Sequence, residues 1–169
     1  MAVKSSMVAE IADNLRRVFQ VVNERSKKVE RESGLTGPQL WTIKLIAEWG
    51  PVKISELARR MYLHPATVGG ILDRLEAKEL IARTRSRQDR RVVRVTLTLE
   101  GKALIAKSPD VVQGVLVTGL ENLPAERLQN IATGLDDMVQ ILGAQGLPPR
   151  LLLSSEVNNP LDSSVSKKK

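Results

Sequence analysis

A chain of 169 residues is long enough for one well-buried domain and short for two, since domains usually run to roughly 100–150 residues. Lys and Arg number 26 against 19 Asp and Glu, a formal charge of +7 that favours anionic partners such as nucleic acid or membrane lipid. No cysteine occurs, which excludes disulfides, thiolate nucleophiles, cysteine zinc sites and thiol redox switches together, and fits a reducing cytoplasm as the expected location.

The first residues, MAVKSSMVAEIADNL, carry charges inside their apolar pattern and so do not read as a signal peptide. No run approaches the roughly 18 apolar residues that span a bilayer, so no membrane partner is expected. From Met7 to Val29, the residues Val8, Ile11, Leu15, Val18, Val22 and Val29 recur at spacings of three and four on one stripe of a long amphipathic helix. Such a stripe packs either within its own domain or against a second copy. Ser33 to Pro38 is punctuation, and Thr36 with Gln39 forms a capping box for a helix carrying Leu40, Ile43, Ile46 and Ala47. Gly50-Pro51 ends that helix, with the glycine suited to a left-handed cap. Val52-Lys53-Ile54 can pair as a strand.

A brief helix follows from Ser55 to about Met61, with Leu57, Ala58 and Met61 on one side and Arg59 and Arg60 on the other. Tyr62-Leu63-His64 is a tight connection, and Pro65 suits the first turn of the next helix, which runs to about Lys78. Its apolar stripe is Val68, Ile71, Leu72 and Leu75, leaving Ala66, Thr67, Gly70 and Arg74 off that stripe. Two short helices joined by such a turn form a helix-turn-helix. Ile81–Arg85 and Arg91–Leu97 alternate and are rich in β-branched residues, so they read as a hairpin around the polar tip 86–90. Thr98 caps a helix beginning near Leu99, and Pro109 kinks or interrupts the apolar pattern that continues to Leu120. A last helix from Pro124 carries Leu128, Ile131, Leu135, Met138, Val139 and Leu142, with Gly143 and Gly146 marking its end. The residues after these, SSEVNNPLDSSVSKKK above all, offer little apolar surface against ordering entropy and read as a disordered basic tail.

From Lys53 to Arg94 there are eleven Lys or Arg and five Asp or Glu, so the positive excess is concentrated in the helix-turn-helix and hairpin. The hairpin holds Arg83, Arg85, Arg87, Arg90, Arg91 and Arg94 against one acid, Asp89. Arginine's planar fork suits phosphate and narrow minor grooves, although a charged hairpin tip is also an ordinary solvated loop. Gly69-Gly70 cost about 1 kcal/mol each relative to alanine in a helix interior. They permit either close approach of DNA or close packing of a neighbouring helix. Arg74 either meets a phosphate or pairs with Asp73 or Glu76. Four aromatics are too few for single-strand stacking platforms, which leaves duplex DNA as the better target. A single histidine, no cysteine, and no metal-spacing or phosphate-loop motif leave an enzyme without candidate groups. No catalytic residue, cofactor or metal is therefore expected.

Ile54-Ser55-Glu56-Leu57-Ala58, Pro65-Ala66-Thr67-Val68, Asp73-Arg74-Leu75-Glu76, Asp89-Arg90-Arg91 and Leu97-Thr98-Leu99-Glu100-Gly101, in that order, resemble the MarR family of bacterial transcriptional regulators over roughly residues 35–107. The resemblance implies a mainly α fold with a small β-hairpin wing (α+β), a winged helix-turn-helix in a triangular homodimer. Residues 1–34 and 99–146 would form the dimerisation region, 35–98 the DNA-binding region, and 147–169 the disordered basic tail. It further implies a recognition helix in the major groove and a wing in the minor groove of a pseudo-palindromic operator. The DNA-contact candidates are Ser55, His64, Pro65, Ala66, Thr67, Gly70, Arg74, Arg85, Arg87, Asp89, Arg90 and Arg91. Arg91 is the minor-groove residue, oriented by Asp89, with Arg90 beside it. Relatives are typically repressors, and many release DNA on binding a small aromatic effector; Trp41, Trp49 and Tyr62 are the candidate cleft residues, with plain packing as the other reading. The chain departs from the family pattern at Glu79, where glycine is usual before the wing, and at His64, which can contact DNA, cap the helix or face solvent. The competing function is a winged helix used for protein contact without sequence-specific DNA binding.

Overall fold

The computed structural model describes residues 2–85, 92–152, 154 and 158. Helix α1 (Ala2–Ser33) follows the predicted stripe, but only its C-terminal part finds cover, at Val22, Ser26 and Val29. Helix α2 (Gly37–Trp49) starts at Thr36, whose backbone N–H donates to Gln39 Oε1 at 3.2 Å, with Pro38 in the first turn. It is the centre of the molecule, packing against α1, the helices Ile54–Met61, Pro65–Ala77, Leu99–Ile105 and Val112–Glu121, and the strand Val93–Leu97. Its end corrects one expectation. Gly50 is extended (φ −69°, ψ 147°), not left-handed. Glycine is needed there because a Cβ would stand 2.5 Å from the Ile46 carbonyl oxygen, to which Gly50 N–H donates at 2.8 Å.

Strand β1 (Val52–Lys53) leads directly into α3 (Ile54–Met61), and a short turn leads to α4 (Pro65–Ala77). Strands β2 (Ile81–Arg85) and β3 (Val93–Leu97) pair antiparallel, Ile81 opposite Leu97 and Arg85 opposite Val93, and β1 adds to the other edge of β3 in the order β1-β3-β2. The core lies where α2, α3, α4 and the sheet meet: Leu40, Ile43, Leu57, Val68, Ile71, Leu72, Leu75 and Val95 are wholly buried. This is the mainly helical fold with a β wing that the sequence predicts. Pro109 falls between α5 (Leu99–Ile105) and α6 (Val112–Glu121), so the expected kink is a full break.

Helix α7 (Ala125–Ile141) ends where Gly143 turns left-handed (φ 63°), with Ala144 N–H reaching back to Val139 O. None of its residues is buried, and Leu128, Ile131, Leu135 and Val139 lie exposed along one row. The N-terminal part of α1 is equally bare at Met7, Val8, Ile11, Val18 and Phe19.

Disorder from residue 147 onward does not hold for the described residues of the tail, 147–152, 154 and 158. Leu151 packs against the core, Leu152 O accepts from Gln113 Nε2 at 3.3 Å, and Asn158 N–H donates to Pro149 O at 2.8 Å. Leu151 and Leu152 supply the apolar anchor that a purely polar tail would lack.

Candidate nucleic-acid interface

Helix α3 closes with Tyr62 in the left-handed conformation (φ 52°) and Leu63 N–H donating to Ala58 O at 2.9 Å, a cap that reverses the chain within three residues. His64 then caps α4: its Nδ1 accepts from Ala66 N–H at 3.3 Å, while Pro65 occupies the first turn, where no amide donor is required. Of the three roles open to His64, capping is the one its geometry fills. The stripe Val68, Ile71, Leu72 and Leu75 sinks α4 into the core, so the opposite side faces outward, with Pro65, Ala66 and Arg74 exposed and Thr67 and Gly70 half-buried. Ser55, exposed in the first turn of α3, stands ahead of it.

Neither Gly69 nor Gly70 is held by packing. A Cβ added at either position meets nothing within 4 Å. Among the described residues, the reading that a neighbouring helix demands these glycines therefore falls away, and two residues that weaken the helix remain without an internal reason.

Strand alternation puts Ile81, Arg83 and Arg85 on one face of β2. Ile81 is buried, and Arg83 lies across α4, 2.7 Å from Asp73 Oδ1 and 3.6 Å from Glu76 Oε2, with Nη2 donating to Gly69 O at 3.3 Å. The acids expected for Arg74 are thus engaged by Arg83, which fixes the angle between wing and helix. Arg83 is the functional residue that sequence reasoning missed; the signal was the acid pair at spacing three on the helix before an arginine-bearing strand. Arg94 Nη1 donates to Pro51 O at 3.2 Å, so it too braces the sheet. Arg85 is exposed and continues the Ile81–Arg83 row outward. Arg87, Asp89, Arg90 and Arg91 lie outside the described residues.

The wing leaves α4 through Glu79, which holds the left-handed conformation (φ 58°) that glycine adopts freely. After the wing, Thr98 Oγ1 donates to Glu79 O at 2.7 Å and accepts from Gly101 N–H at 3.0 Å, tying the strand end to the helix start. Gly101 is obligatory, because a Cβ there would lie 2.1 Å from Leu80 O. The Thr98…Gly101 motif is therefore a clasp at the base of the wing.

The three candidate effector residues do not come together. Trp41 is buried and lines a groove of about 620 Å³ between α2 and α6, and a smaller cavity of about 210 Å³ shared with Pro38, Leu63 and Leu151. Trp49 instead lies under the Arg60 guanidinium, 3.7 Å from its ring centre, with Arg60 also paired to Glu56 at 3.1 Å. Tyr62 is largely exposed, and its hydroxyl donates to Glu121 Oε1 at 2.7 Å. That hydrogen bond, with the carboxylate charge behind it, raises the Tyr62 pKa above its ordinary value.

The MarR family model matches residues 35–93, the span from the start of α2 to the start of β3. An uncharacterized HTH-type transcriptional regulator of Bacillus subtilis, YsmB, is 33% identical over 98 residues, covering 58% of this chain and 67% of the relative. The chain belongs to the MarR family. The HTH-type transcriptional repressor MdtR of the same organism is 37% identical over 95 residues, 56% of this chain and 61% of the relative. The crystal structure of YusO from Bacillus subtilis superposes with a TM-score of 0.51 at 30% identity, covering 80% of this chain and 96% of that one. A MepR-like protein complexed with pseudoligands superposes at 0.54 with 24% identity, over 82% and 98% of the two chains, which bears on the fold alone. The family consists of DNA-binding, winged helix-turn-helix transcription regulators, not enzymes. No helix among the described residues is long and apolar enough to cross a membrane.

Proposed function

We propose that this protein is a homodimeric repressor that binds a pseudo-palindromic duplex operator, with the outer side of α4 in the major groove and the wing in the minor groove. The observation that carries the reading is the open Gly69–Gly70 segment on the outward side of a helix whose other side is fully buried. Bare backbone at that point favours close approach of a duplex, and DNA contacts draw on the Ser, Thr, Arg and helix N-terminal donors that surround it.

Dimerisation rests on the exposed apolar rows of α1 and α7, contiguous apolar faces of the kind that mark interaction sites. A two-fold pair of such modules favours half-sites centred about one helical turn apart. The repressor MdtR among the relatives supports the sign of regulation. A small aromatic effector would enter beside Trp41, the one candidate aromatic that lines a groove between the two regions. Such a molecule shifts DNA affinity only through preference for a geometry that does not bind DNA.

Fluorescence anisotropy on duplex DNA at several salt concentrations tests the reading. Affinity should fall steeply as salt rises, with a slope that counts phosphate contacts, and a selected operator should outcompete scrambled duplex. A winged helix used for protein contact would bind scrambled and selected duplex alike, since salt-dependent attraction to phosphates carries no sequence preference.

A further inference from the structure

After α7, the described residues of the C-terminal segment lie beside Trp41 at Leu151 and Leu152, and at the start of α4 at Asn158. Leu151 and Leu152 line the small cavity beside Trp41 and Leu63, and Gln113 Nε2 holds the Leu152 carbonyl. Beyond this anchor Asn158 meets the recognition helix. Its Oδ1 accepts from His64 N–H at 2.9 Å and from Thr67 Oγ1 at 3.4 Å, and its own N–H is held by Pro149 O.

A carboxamide oxygen on a backbone amide and a hydroxyl at a helix N-terminus occupies donors of the kind that take phosphate oxygens in protein–DNA complexes. We propose that Asn158 is an intramolecular mask over the N-terminus of the recognition helix, anchored through Pro149, Leu151 and Leu152 and standing where a DNA phosphate oxygen would be received. The proposal rests on the DNA-binding reading above. Strap and duplex then compete for the His64 and Thr67 donors, so each weakens the other's hold by the same factor. The apolar anchor at Leu151 keeps the strap tethered when Asn158 is displaced, which makes the mask reversible.

The decisive variant is Asn158→Ala, which removes the acceptor and alters no charge. With a duplex selected on the wild-type protein, its affinity should rise roughly three- to tenfold, as losing one or two competing hydrogen bonds implies, at an unchanged salt slope. Hydrogen exchange gives the second measurement: the His64 amide should exchange faster in free Asn158→Ala than in free wild type. The Asn158 amide, held by Pro149 O in the free protein, should lose protection when wild type binds the duplex while the Leu151 and Leu152 amides keep theirs. Affinity that stays the same or weakens in Asn158→Ala, or an Asn158 amide equally protected with and without DNA, would overturn the mask. Failure of the wild type to bind any duplex would instead overturn the DNA-binding reading, so the two failures are distinguishable.

Discussion

Replacing Gly70 by alanine separates what the fold wants from what the interface wants. In a helix interior the change is worth about 0.5–1 kcal/mol through lower unfolded-state entropy and better propensity. No clash offsets it, because the new Cβ meets nothing within 4 Å. A domain of this size gains about 2–4 °C in melting temperature per kcal/mol, so Gly70→Ala should melt roughly 1–4 °C higher at fixed protein concentration. Against a duplex pressed onto the same backbone, a methyl group has to be accommodated at about 1–3 kcal/mol per half-site, the usual magnitude of overpacking. Since 1.4 kcal/mol is tenfold, operator affinity should drop about five- to 150-fold for each half-site. Gly69→Ala is the matched control. Its Cβ direction shares the row of Asp73 and Glu76, where Arg83 lies, so it should stabilise similarly and spare DNA affinity. Calorimetry and anisotropy on the three proteins check the pair. A Gly70→Ala protein that is more stable and binds the operator as tightly as wild type refutes close approach at this residue; one that is less stable refutes the open space around it.

Glu79 pays the left-handed penalty of about 1–2 kcal/mol, of which glycine's greater unfolded freedom returns about 0.5–1. Glu79→Gly should therefore raise the melting temperature by a few degrees, and a lower one would show that the Glu79 side chain holds the wing. Leu135→Asp, on the bare row of α7, should convert the dimer to monomer in sedimentation velocity and abolish operator binding, since burying each leucine across a two-fold is worth about 1.5–3 kcal/mol. A dimer that survives would place the interface elsewhere. The chain's one tyrosine makes tyrosinate absorbance a clean probe of Tyr62. Its midpoint should lie above the ordinary value of about 10, and Glu121→Gln should bring it back down. A raised folded pKa favours the protonated phenol, so this link adds to stability below the unfolded pKa and is lost as pH rises through the folded one. An unmoved midpoint in Glu121→Gln would mean the Tyr62–Glu121 bond does not form in solution.

What the sequence made legible was whatever local periodicity and punctuation encode. The stripe Val68, Ile71, Leu72 and Leu75 is wholly buried because a 3.6-residue period can be buried against a core in only one rotation. Pro65, Thr98 and Gly143 mark helix ends because each answers a backbone donor or dihedral requirement that is local to its own turn. The positive excess is local as well, falling between Lys53 and Arg94, almost wholly within the residues 35–93 that the MarR family model matches. Gly50 was read for the right position and the wrong reason, since propensity alone does not distinguish a left-handed glycine from one crowded by a carbonyl.

The features that escaped depend on pairings between distant parts of the chain. Arg83 counted as one more cation of the hairpin until its distance to Asp73 became visible, and the same residue then reads as the brace between β2 and α4. Trp41, Trp49 and Tyr62 form one group as aromatics, yet they sit in a groove, under a guanidinium and on a carboxylate. Composition likewise assigned the C-terminal segment to disorder, because Leu151–Leu153 is too short to signal an element by itself. Leu151 finds cover only because α2 and α6 already present an apolar seat. The contact between Asn158 and the recognition helix is therefore a product of tertiary placement, which is why the two readings of the segment, inert tail or competitor for DNA, are told apart by whether removing one acceptor raises a single affinity.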